Sequence, residues 1–421
     1  MDYIDAGAET SPMKTLLWTL LVGIAVTGLA ACSSMTAPSS TSASTGPVRT
    51  TGLPPIHHVF VIMLENESAV TTFGDPAADP YLASVLPAKG AYLENYYAIG
   101  HVSNDNYIAF VSGQPPNIDT QNDCLTYAEF PSGYGQEAWQ GATGIQEGVG
   151  CVYPASVQTL ANQLTAKGLT WKAYMEDMGN DPERDGAPTS VCGHPALNGP
   201  DGAILAVQGD GYATRHDPFV YFDSIIDSPS VCSHVVPLGT PTGAMPASDT
   251  VGATGLATDL KSIATTPNFA WISPNLCDDG HDYPCRNETS PGGSDLADID
   301  TFLETWVPKI TSSPAFKKDG LLEITFDEAE VEGTGSNPDY ASCCNEARGP
   351  TGSAPGVDGP GGGRIGTILI SPFIKAGSVV TTPFNHYSSL ASIEKLFDLP
   401  LLGDAQTVPT TFANGVFTTT K

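Results

Sequence analysis

The sequence is poor in positive charge. Its 421 residues include 17 Lys and Arg but 46 Asp and Glu, which gives a formal net charge of −29. Proteins that bind nucleic acids need basic patches to neutralise phosphates, so this balance argues against a nucleic-acid partner. Two explanations of the acidity stay open: it keeps an exported protein soluble, which we favour, or it reflects a preference for mild acid.

Long apolar runs are also scarce. The run at residues 16–31 follows Lys14 and ends in Leu-Ala-Ala before Cys32. It is too short to span a bilayer comfortably and has the small-residue exit of a signal peptide. Its ending resembles a bacterial lipobox, whose cysteine carries a lipid. We therefore predict an exported protein that contacts a membrane only through a lipid on Cys32, with a plain secreted protein as the alternative.

This signal divides the chain into three parts. Residues 1–31 are the predicted signal peptide, with Met13 a better start than Met1 because the residues before Met13 are acidic. Residues 32–52 are rich in Ser, Thr and Pro and nearly uncharged, which is typical of a flexible tether. Residues 53–421 form one predicted domain, in which no long amphipathic or apolar surface segment is evident.

No Cys-x-x-Cys pair occurs among the nine cysteines, which argues against metal binding by thiolates. With Cys32 assigned to the lipid, an even number remains, and this suggests disulfides in an oxidising compartment. Proximity in sequence suggests the pairs Cys124–Cys151, Cys192–Cys232 and Cys277–Cys285. The remaining two, Cys343 and Cys344, are adjacent, and a bridge between sequence neighbours is strained.

Continuous apolar runs predict buried strands of a parallel sheet, which is covered by helices on both faces. These runs are residues 58–64, 169–175, 269–273, 320–326 and 365–371. Helices are predicted between or after them, at residues 156–167, 296–311 and 387–397. The alternation of strand and helix predicts an α/β fold with a mostly parallel central sheet.

Acidic residues follow four of these strands. They are Glu65-Asn66, Glu176-Asp177, the acidic segment 278–282, and Asp327-Glu328. In open α/β sheets, sites form beyond the carboxyl ends of the strands. One acid at such a place would be a loop residue or a helix cap, but carboxylates from several strands together suggest a metal site.

The segment 99–113 predicts a turn and then a short helix that begins near Ser103 and closes at Gly113. The free amides and the dipole at a helix start favour an anion. Ser103 is therefore a candidate nucleophile whose phosphorylated form those amides would hold. A plain helix-capping serine is the alternative.

The order and spacing of five motifs resemble a bacterial phosphoesterase family that contains acid phosphatases and non-haemolytic phospholipases C. The motifs are Glu65-Asn66, Ser103-x-x-Asn106-Tyr107, Asp279-Gly280-His281-Asp282, Asp327-Glu328 and Phe384-Asn385-His386-Tyr387-Ser388. That family is similar in fold to alkaline phosphatase, so the resemblance implies an alkaline-phosphatase-like fold across nearly all of 55–400. One departure is Asp105, where many relatives have proline.

The resemblance implies a role for each matching residue. Ser103 matches the nucleophile, which also contacts the metal. The other implied metal ligands are Glu65, Asn66, Asp327 and Glu328. His281 and His386 match histidines that line the phosphate pocket, and His216 matches a position near the site. Supporting roles are expected for Asn106, Asp279 and Asp282.

This set of residues indicates a reaction. The implied ligands are all oxygen donors, which favours Ca²⁺, Mg²⁺ or Mn²⁺ over zinc, although ligation by His281 and His386 would make a second ion, such as zinc, plausible. Ser103 would attack phosphorus and form a phosphoserine that water hydrolyses. His281 or His386 would protonate the leaving alcohol or hold the phosphoryl oxygens.

We therefore predict an exported, metal-dependent phosphoric ester hydrolase that acts on phosphate-ester substrates. The absence of an apolar surface segment favours an acid-phosphatase-like phosphomonoesterase. A phospholipase C or other phosphodiesterase on the same residues is the first alternative. A catalytically inactive surface-binding lipoprotein is the second.

Overall fold

In a computed structural model of the chain, the described residues are 53–181, 191–201, 205–246, 252–287, 293–330 and 339–417. The predicted signal peptide, Cys32 and the tether lie outside them. Across these described ranges, no helix is both long and apolar enough to cross a membrane.

The strands assemble mainly into one sheet of eight, in the order β11-β2-β10-β9-β1-β8-β6-β7. Their bounds are β1 (His58–Leu64), β2 (Ala91–Leu93), β3 (Tyr96–Tyr97), β4 (Gln136–Trp139), β5 (Ala142–Gln146), β6 (Trp171–Met175), β7 (Val235–Pro237), β8 (Phe269–Ser273), β9 (Gly320–Phe326), β10 (Thr367–Ile370), β11 (Ser378–Val380) and β12 (Phe384–Asn385). β3 pairs with β12, and β4 pairs with β5, in two small separate sheets.

The large sheet is mostly parallel, as predicted. β1 pairs in parallel with β8 and β9, so that Val61 lies between Trp271 and Glu323. β10 is the exception, because it pairs antiparallel with both β9 and β2. The prediction of a parallel strand at 365–371 is therefore wrong in direction, since an apolar run carries no information about the sense of the chain.

Every residue of β1 and β9 is buried. Successive side chains of a strand point to opposite faces of the sheet, so burial of every side chain means that protein covers both faces. This confirms the predicted sheet that is covered on both faces. The covering layers contain helices with the bounds α1 (Ala69–Gly74), α2 (Ser103–Ser112), α3 (Leu160–Lys167), α4 (Asp223–Ile226), α5 (Pro229–Cys232), α6 (Leu256–Asp259), α7 (Asp295–Ser312), α8 (Pro314–Asp319) and α9 (His386–Leu396). Short helical turns occur at Tyr81–Val85, Thr120–Asn122, Thr214–His216, Pro218–Tyr221 and Gly403–Gln406.

The helix termini follow local capping chemistry. α2 begins at Ser103 and ends before Gly113, which has φ 70°, as the sequence predicts. α3 begins at Leu160 rather than at residue 156, because Thr159 and Asn162 form a reciprocal capping box there. α9 begins after Asn385, whose side chain accepts a hydrogen bond from the backbone N–H of Ser388.

Four disulfides cross-link the domain. The predicted pairs Cys124–Cys151, Cys192–Cys232 and Cys277–Cys285 are all confirmed. Cys343 and Cys344 are also bonded to each other, so their adjacency does not prevent a bridge. Cys344 has φ 67°, and the chain turns at this position. Several disulfides in one domain are typical of proteins from oxidising compartments.

Candidate active site

The site lies beyond the carboxyl ends of two neighbouring strands. Glu65 follows β1 and Asp327 follows β9, and the backbone N–H of Asp327 donates to the carbonyl of Leu64 over 2.9 Å. The backbone N–H of Asn66 donates to Oδ1 of Asp327 over 3.0 Å. The parallel pairing of β1 with β9 thus brings together acids that are 262 positions apart in the chain.

These strand ends open into a cavity of about 470 Å³. Of the residues with expected site roles, five line it: Glu65, Asn66, Ser103, His281 and Glu328. Its described lining also contains residues that received no role from the sequence, among them His101, Asp123 and Arg215.

Ser103 is the first residue of α2, and its hydroxyl does not cap the helix. The capping position is Val102, and the hydroxyl of Ser103 instead donates to Oε2 of Glu65 over 2.8 Å. Tyr107, one turn later, donates to Oε1 of Glu65 over 2.6 Å. The plain capping role is therefore wrong, and the serine oxygen lies among the carboxylates at the cavity wall.

Asn106 stabilises the turn that leads into α2. Its Oδ1 accepts hydrogen bonds from the backbone N–H groups of Ile99, at 2.8 Å, and Gly100, at 3.0 Å. Its Nδ2 donates to the carbonyls of Gly100 and Val102. These four bonds determine where the helix begins, and so where the hydroxyl of Ser103 lies.

A cluster of buried carboxyl groups surrounds Ser103. Burial, and then the charges of Asp327 and Asp279, raise the pKa of Glu65 well above its ordinary value. Burial also raises the pKa of Asp327 to about 6 and that of Asp279 to about 7. Oδ2 of Asp327 accepts no well-formed hydrogen bond from the described residues. Buried carboxylates are costly unless a cation or a donor balances them, so this cluster is suited to a cation.

Within the described ranges, no three His, Cys, Asp or Glu side chains already stand in coordinating positions around one point. Glu65 and Ser103 are in direct contact, and Asp327 lies beside them with one carboxylate oxygen unsatisfied. Glu328 lines the same cavity, but its Oε2 is hydrogen-bonded to Nδ1 of His101. The oxygen donors fit a hard divalent ion in type and charge.

His216 is a buried bridge between two acids. Its Nε2 lies 3.1 Å from Oε1 of Glu65, and its Nδ1 lies 3.5 Å from Oδ2 of Asp279. Its ring stacks on Tyr107 with centroids 5.2 Å apart. Burial, and then the charge of Arg215, lower the pKa of His216 well below its ordinary value. The imidazole is therefore neutral at neutral pH, and with a single N–H it can donate to only one of these two carboxyl groups at a time.

His281 lies at the cavity, and its side chain is 44% exposed. Its Nδ1 is 3.3 Å from Oδ2 of Asp282, and this contact raises the pKa of His281 to about 9. Its backbone N–H donates to Oδ1 of Asp279 over 3.0 Å. Both predicted supporting acids thus contact His281, one at the ring and one at the backbone.

His386 does not line the cavity, contrary to the role implied by the resemblance. It is fully buried at the start of α9, where its Nε2 donates to the carbonyl of Asp327 over 2.6 Å. Its Nδ1 is 3.2 Å from the hydroxyl of Tyr96. Burial lowers the pKa of His386 to about 4, so the ring is neutral. Its contacts position the backbone of Asp327.

Sequence reasoning assigned no role to several polar residues of the cavity, among them His101, Asp123 and Arg215. All three lie outside the strands and long helices, where no periodicity marks a side chain as inward-facing. The available signals were positional, because His101 precedes the candidate nucleophile by two residues and Arg215 adjoins His216.

Comparison with known proteins identifies the family. The model of the Phosphoesterase family matches residues 76–400. The chain belongs to this family.

Curated relatives carry phosphatase names. A phosphate-repressible acid phosphatase of Penicillium chrysogenum is 27% identical over 91% of this chain and 72% of its own length. A probable acid phosphatase of Kluyveromyces lactis is 22% identical over 82% of this chain, which spans only 59% of that relative. A phosphatidylinositol-3-phosphatase of Mycobacterium tuberculosis is 22% identical over 85% of this chain and 82% of its own length.

Among solved structures, a protein of the alkaline phosphatase superfamily from Vibrio parahaemolyticus aligns over 82% of this chain and 67% of its own. The TM-score is 0.44 and the sequence identity is 14%. Similarity of this degree supports no conclusion about activity.

Proposed function

We propose that the protein is a metal-dependent phosphoric ester hydrolase that acts on phosphomonoesters through a serine nucleophile. The observation that carries the proposal is the contact between the hydroxyl of Ser103 and Glu65, in a cavity lined by carboxylates and Arg215. Membership of the Phosphoesterase family and the acid phosphatase names of relatives support it.

The proposed metal ligands are those expected from the sequence: Glu65, Asn66, Ser103, Asp327 and Glu328. Support comes from the buried, mutually repelling carboxyl groups and from the unsatisfied oxygen of Asp327. The all-oxygen set favours Ca²⁺, Mg²⁺ or Mn²⁺. When bound, such an ion lowers the pKa of the serine hydroxyl and offsets the charge of the phosphoryl oxygens.

The chain's own residues account for the proton movements. The hydroxyl of Ser103 already donates to Oε2 of Glu65, which is therefore the nearest acceptor for its proton. The serine oxygen attacks phosphorus, the bond from phosphorus to the ester oxygen breaks, and a phosphoserine forms. His281, protonated at neutral pH because of Asp282, donates a proton to the leaving oxygen. Water, which loses a proton to the now neutral His281, then attacks phosphorus, and the bond from phosphorus to the Ser103 oxygen breaks. Inorganic phosphate leaves, and the serine oxygen regains its proton from Glu65.

We also propose that the protein is exported, with the lipid-bearing Cys32 as its anchor. The four disulfides support an oxidising location. Labelling cells with a radioactive fatty acid tests the anchor, since Cys32→Ser should abolish incorporation. Incorporation that persists in this variant would contradict it.

The activity is tested with p-nitrophenyl phosphate and p-nitrophenyl phosphorylcholine, each with and without EDTA. We expect EDTA-sensitive hydrolysis of the monoester, loss of turnover in Ser103→Ala, and normal turnover in Ser112→Ala. Ser112 is a matched control because it is a buried serine at the other end of α2, bonded to the carbonyl of Ile108.

The outcomes separate the candidate functions. Exclusive hydrolysis of the choline diester would favour a phospholipase C, and no hydrolysis of either ester would favour an inactive binding protein. Substantial activity in a normally melting Ser103→Ala variant would show that the nucleophile is another group.

A further inference from the structure

A row of fully buried polar side chains connects the centre of the sheet to the backbone of the active site. Its four members, the buried network, are Glu323 of β9, Tyr96 of β3, and Ser389 and His386 of α9. Oγ of Ser389 lies 2.5 Å from Oε1 of Glu323 and 2.6 Å from the hydroxyl oxygen of Tyr96. That hydroxyl lies 3.2 Å from Nδ1 of His386, whose Nε2 contacts the carbonyl of Asp327.

The buried network ends at the peptide group between two proposed metal ligands. The carbonyl of Asp327 belongs to the peptide group that joins Asp327 to Glu328. Nε2 of His386 donates to this carbonyl over 2.6 Å. The hydrogen bond therefore restrains the orientation of the peptide group, and with it the two carboxylate side chains that leave the backbone on either side of it.

The number of hydrogens in the buried network determines its protonation. Its four contacts need one hydrogen each. A carbonyl oxygen only accepts, so the hydrogen of a neutral His386 ring is on Nε2, and Nδ1 accepts from Tyr96. The hydroxyl of Ser389 then fills its contact with Tyr96. The contact between Ser389 and Glu323 remains, and only a hydrogen on the Glu323 carboxyl group can fill it.

The hydroxyl of Thr325 is a further neighbour of Tyr96. It lies 2.7 Å from the hydroxyl of Thr367. A hydrogen that Thr325 donated to the tyrosine oxygen would fill none of the four contacts, so the count does not change.

An ionised Glu323 with a doubly protonated His386 would also supply four hydrogens. It would, however, separate a buried anion from a buried cation by two hydroxyl groups. Oε2 of Glu323 is buried and accepts no hydrogen bond from the described residues. Such an oxygen is far more costly in a carboxylate than in a neutral carboxyl group. Burial accordingly raises the pKa of Glu323 to about 8.

We propose that Glu323 is a neutral, protonated carboxyl group whose hydrogen sets the direction of every hydrogen bond in the buried network. Each hydroxyl donates toward His386, and the ring keeps its hydrogen on Nε2 for the carbonyl of Asp327. In the reverse direction Nδ1 would carry the hydrogen, and the lone pair of Nε2 would face the carbonyl oxygen. Glu323 is thus a positioning residue, and the inference rests on the proposed function only in assigning Asp327 and Glu328 to the metal.

Infrared difference spectroscopy at neutral pH tests the protonation of Glu323 directly. The spectrum of the wild type minus that of Glu323→Gln should contain the carbonyl band of a protonated carboxyl group. The matched comparison is Glu304→Gln, because Glu304 is exposed, and its difference spectrum should contain carboxylate bands instead. Carboxylate bands in the Glu323→Gln difference spectrum would overturn the proposal.

Nitrogen NMR of histidine-labelled protein tests the direction of the buried network. We expect His386, assigned by the loss of its signals in His386→Gln, to carry a hydrogen on Nε2 and none on Nδ1. Tyr96→Phe removes the donor to Nδ1 and should give a mixture of the two tautomers. A wild-type ring protonated on both nitrogens would place the fourth hydrogen on His386 and overturn the proposal.

The control for Tyr96→Phe is Tyr221→Phe. Tyr221 is fully buried, and its hydroxyl has no hydrogen-bond partner among the described residues. The signals of His386 should be the same in Tyr221→Phe as in the wild type. Both spectroscopic measurements include the wild type, and thermal melts verify that each variant is folded.

Metal binding and turnover show whether the buried network acts on the site. Calorimetric titration with Mg²⁺, Ca²⁺ or Mn²⁺ should show at least about tenfold weaker binding to Tyr96→Phe, as when a group that orients a metal ligand is removed. Glu323→Gln is the conservative variant, since its amide is neutral and can donate to Ser389, and its metal affinity and kcat should stay within about threefold of the wild type. A folded Glu323→Gln protein that loses as much as Tyr96→Phe would show that the negative charge of Glu323 is required, and would overturn the proposal.

The outcomes distinguish this inference from the function on which it rests. The infrared band and the His386 tautomer are measured without substrate or metal. A wild-type protein without metal-dependent hydrolysis would overturn the proposed function, whereas the two spectra would still decide whether Glu323 carries the proton.

Discussion

The hydroxyl of Ser103 donates to Oε2 of Glu65 over 2.8 Å, although the two residues are 38 positions apart. The other oxygen of this carboxylate accepts from Tyr107 at 2.6 Å. Both carboxylate oxygens of Glu65 therefore accept hydrogen bonds from α2. A substitution at Glu65 should change the charge of the site and also the position of the Ser103 hydroxyl.

Asp327→Asn should weaken metal binding and activity together. Oδ1 of Asp327 accepts from the backbone N–H groups of Asn66 and Glu328, so asparagine retains the shape of the site while it loses the charge. We expect affinity for Mg²⁺, Ca²⁺ or Mn²⁺ to fall about tenfold or more in a calorimetric titration.

The comparison variants for metal binding are Glu65→Gln, within the cluster, and Glu394→Gln, a buried carboxyl group of α9 outside the cavity lining. Glu65→Gln should resemble Asp327→Asn, and Glu394→Gln should bind metal like the wild type. Wild-type affinity in both cluster variants would mean that the metal binds elsewhere.

The alkaline limb of the pH profile should depend on Asp282. The contact with Asp282 raises the pKa of His281 to about 9, so kcat should fall as the pH rises through that value and the leaving oxygen loses its donor. In Asp282→Asn the same fall should occur at lower pH, toward the ordinary histidine value of about 6.5. The His281 and Asp282 side chains are 44% and 39% exposed, so salt screens their interaction. Added salt should therefore also move the alkaline limb of the wild type to lower pH.

The pH dependence of kcat in steady-state assays provides the measurement. His281→Gln should lose most activity and have no alkaline limb near pH 9. An identical limb in the wild type, Asp282→Asn and His281→Gln would assign it to a different group.

The apolar pattern predicts the centre of the sheet well and its periphery poorly. β1, β8 and β9 coincide with continuous apolar runs because both faces of these strands are buried. The same pattern contains no strand direction, which is why antiparallel β10 differs from the prediction. β2 and β11 have only three residues each, too few to show a period.

The residues of the site also divide into those that the sequence pattern predicts and those that it does not. Glu65 and Asp327 are predictable because they end long buried strands. Arg215 and Asp123 are not, because they lie in irregular segments whose position depends on tertiary contacts. His386 shows the limit of motif matching, since a motif identifies the residue and not the direction of its ring.

Stability should decline from mild acid toward alkaline pH. Burial raises the pKa of Glu394 to about 9, so the native state binds its proton more tightly than the unfolded state does. The stability that protonated Glu394 gives the native state is fully present below the pKa of this group in the unfolded state, about 4.5. It is lost as the pH rises toward 9, by at most about 1.4 kcal/mol per pH unit.

Urea unfolding of the wild type and Glu394→Gln at pH 5 and pH 8 measures this effect. The variant should lose less stability between the two pH values, because glutamine does not ionise. The matched control is Glu304→Gln on exposed Glu304, which should follow the wild type. A wild-type pH dependence in Glu394→Gln would contradict the assignment.

Loss of the Cys277–Cys285 bridge should impair catalysis more than stability. The bridge spans 8 positions and encloses Asp279, His281 and Asp282. A short loop gains little chain entropy on reduction, so we expect a cost of about 2–3 kcal/mol at most. Its effect on the position of His281 should lower kcat at least about tenfold, since catalytic groups must be held to about 0.5 Å.

The Cys192–Cys232 bridge provides the contrast, because it spans 40 positions and neither cysteine lines the cavity. Serine pairs at these positions should lower the melting temperature more and kcat less. Full activity in the Cys277→Ser, Cys285→Ser protein would show that other contacts hold His281.

The pairing of β1 with β9 also has a consequence for folding. It joins Asn66 to Asp327 across 261 positions, and contacts between such distant parts of a chain form slowly because a large loop must close first. If the chain is cut between β1 and β9, neither fragment contains both Asn66 and Asp327. Enzymatic activity during refolding should therefore recover only after the strands have paired, later than the far-ultraviolet circular dichroism signal of the helices.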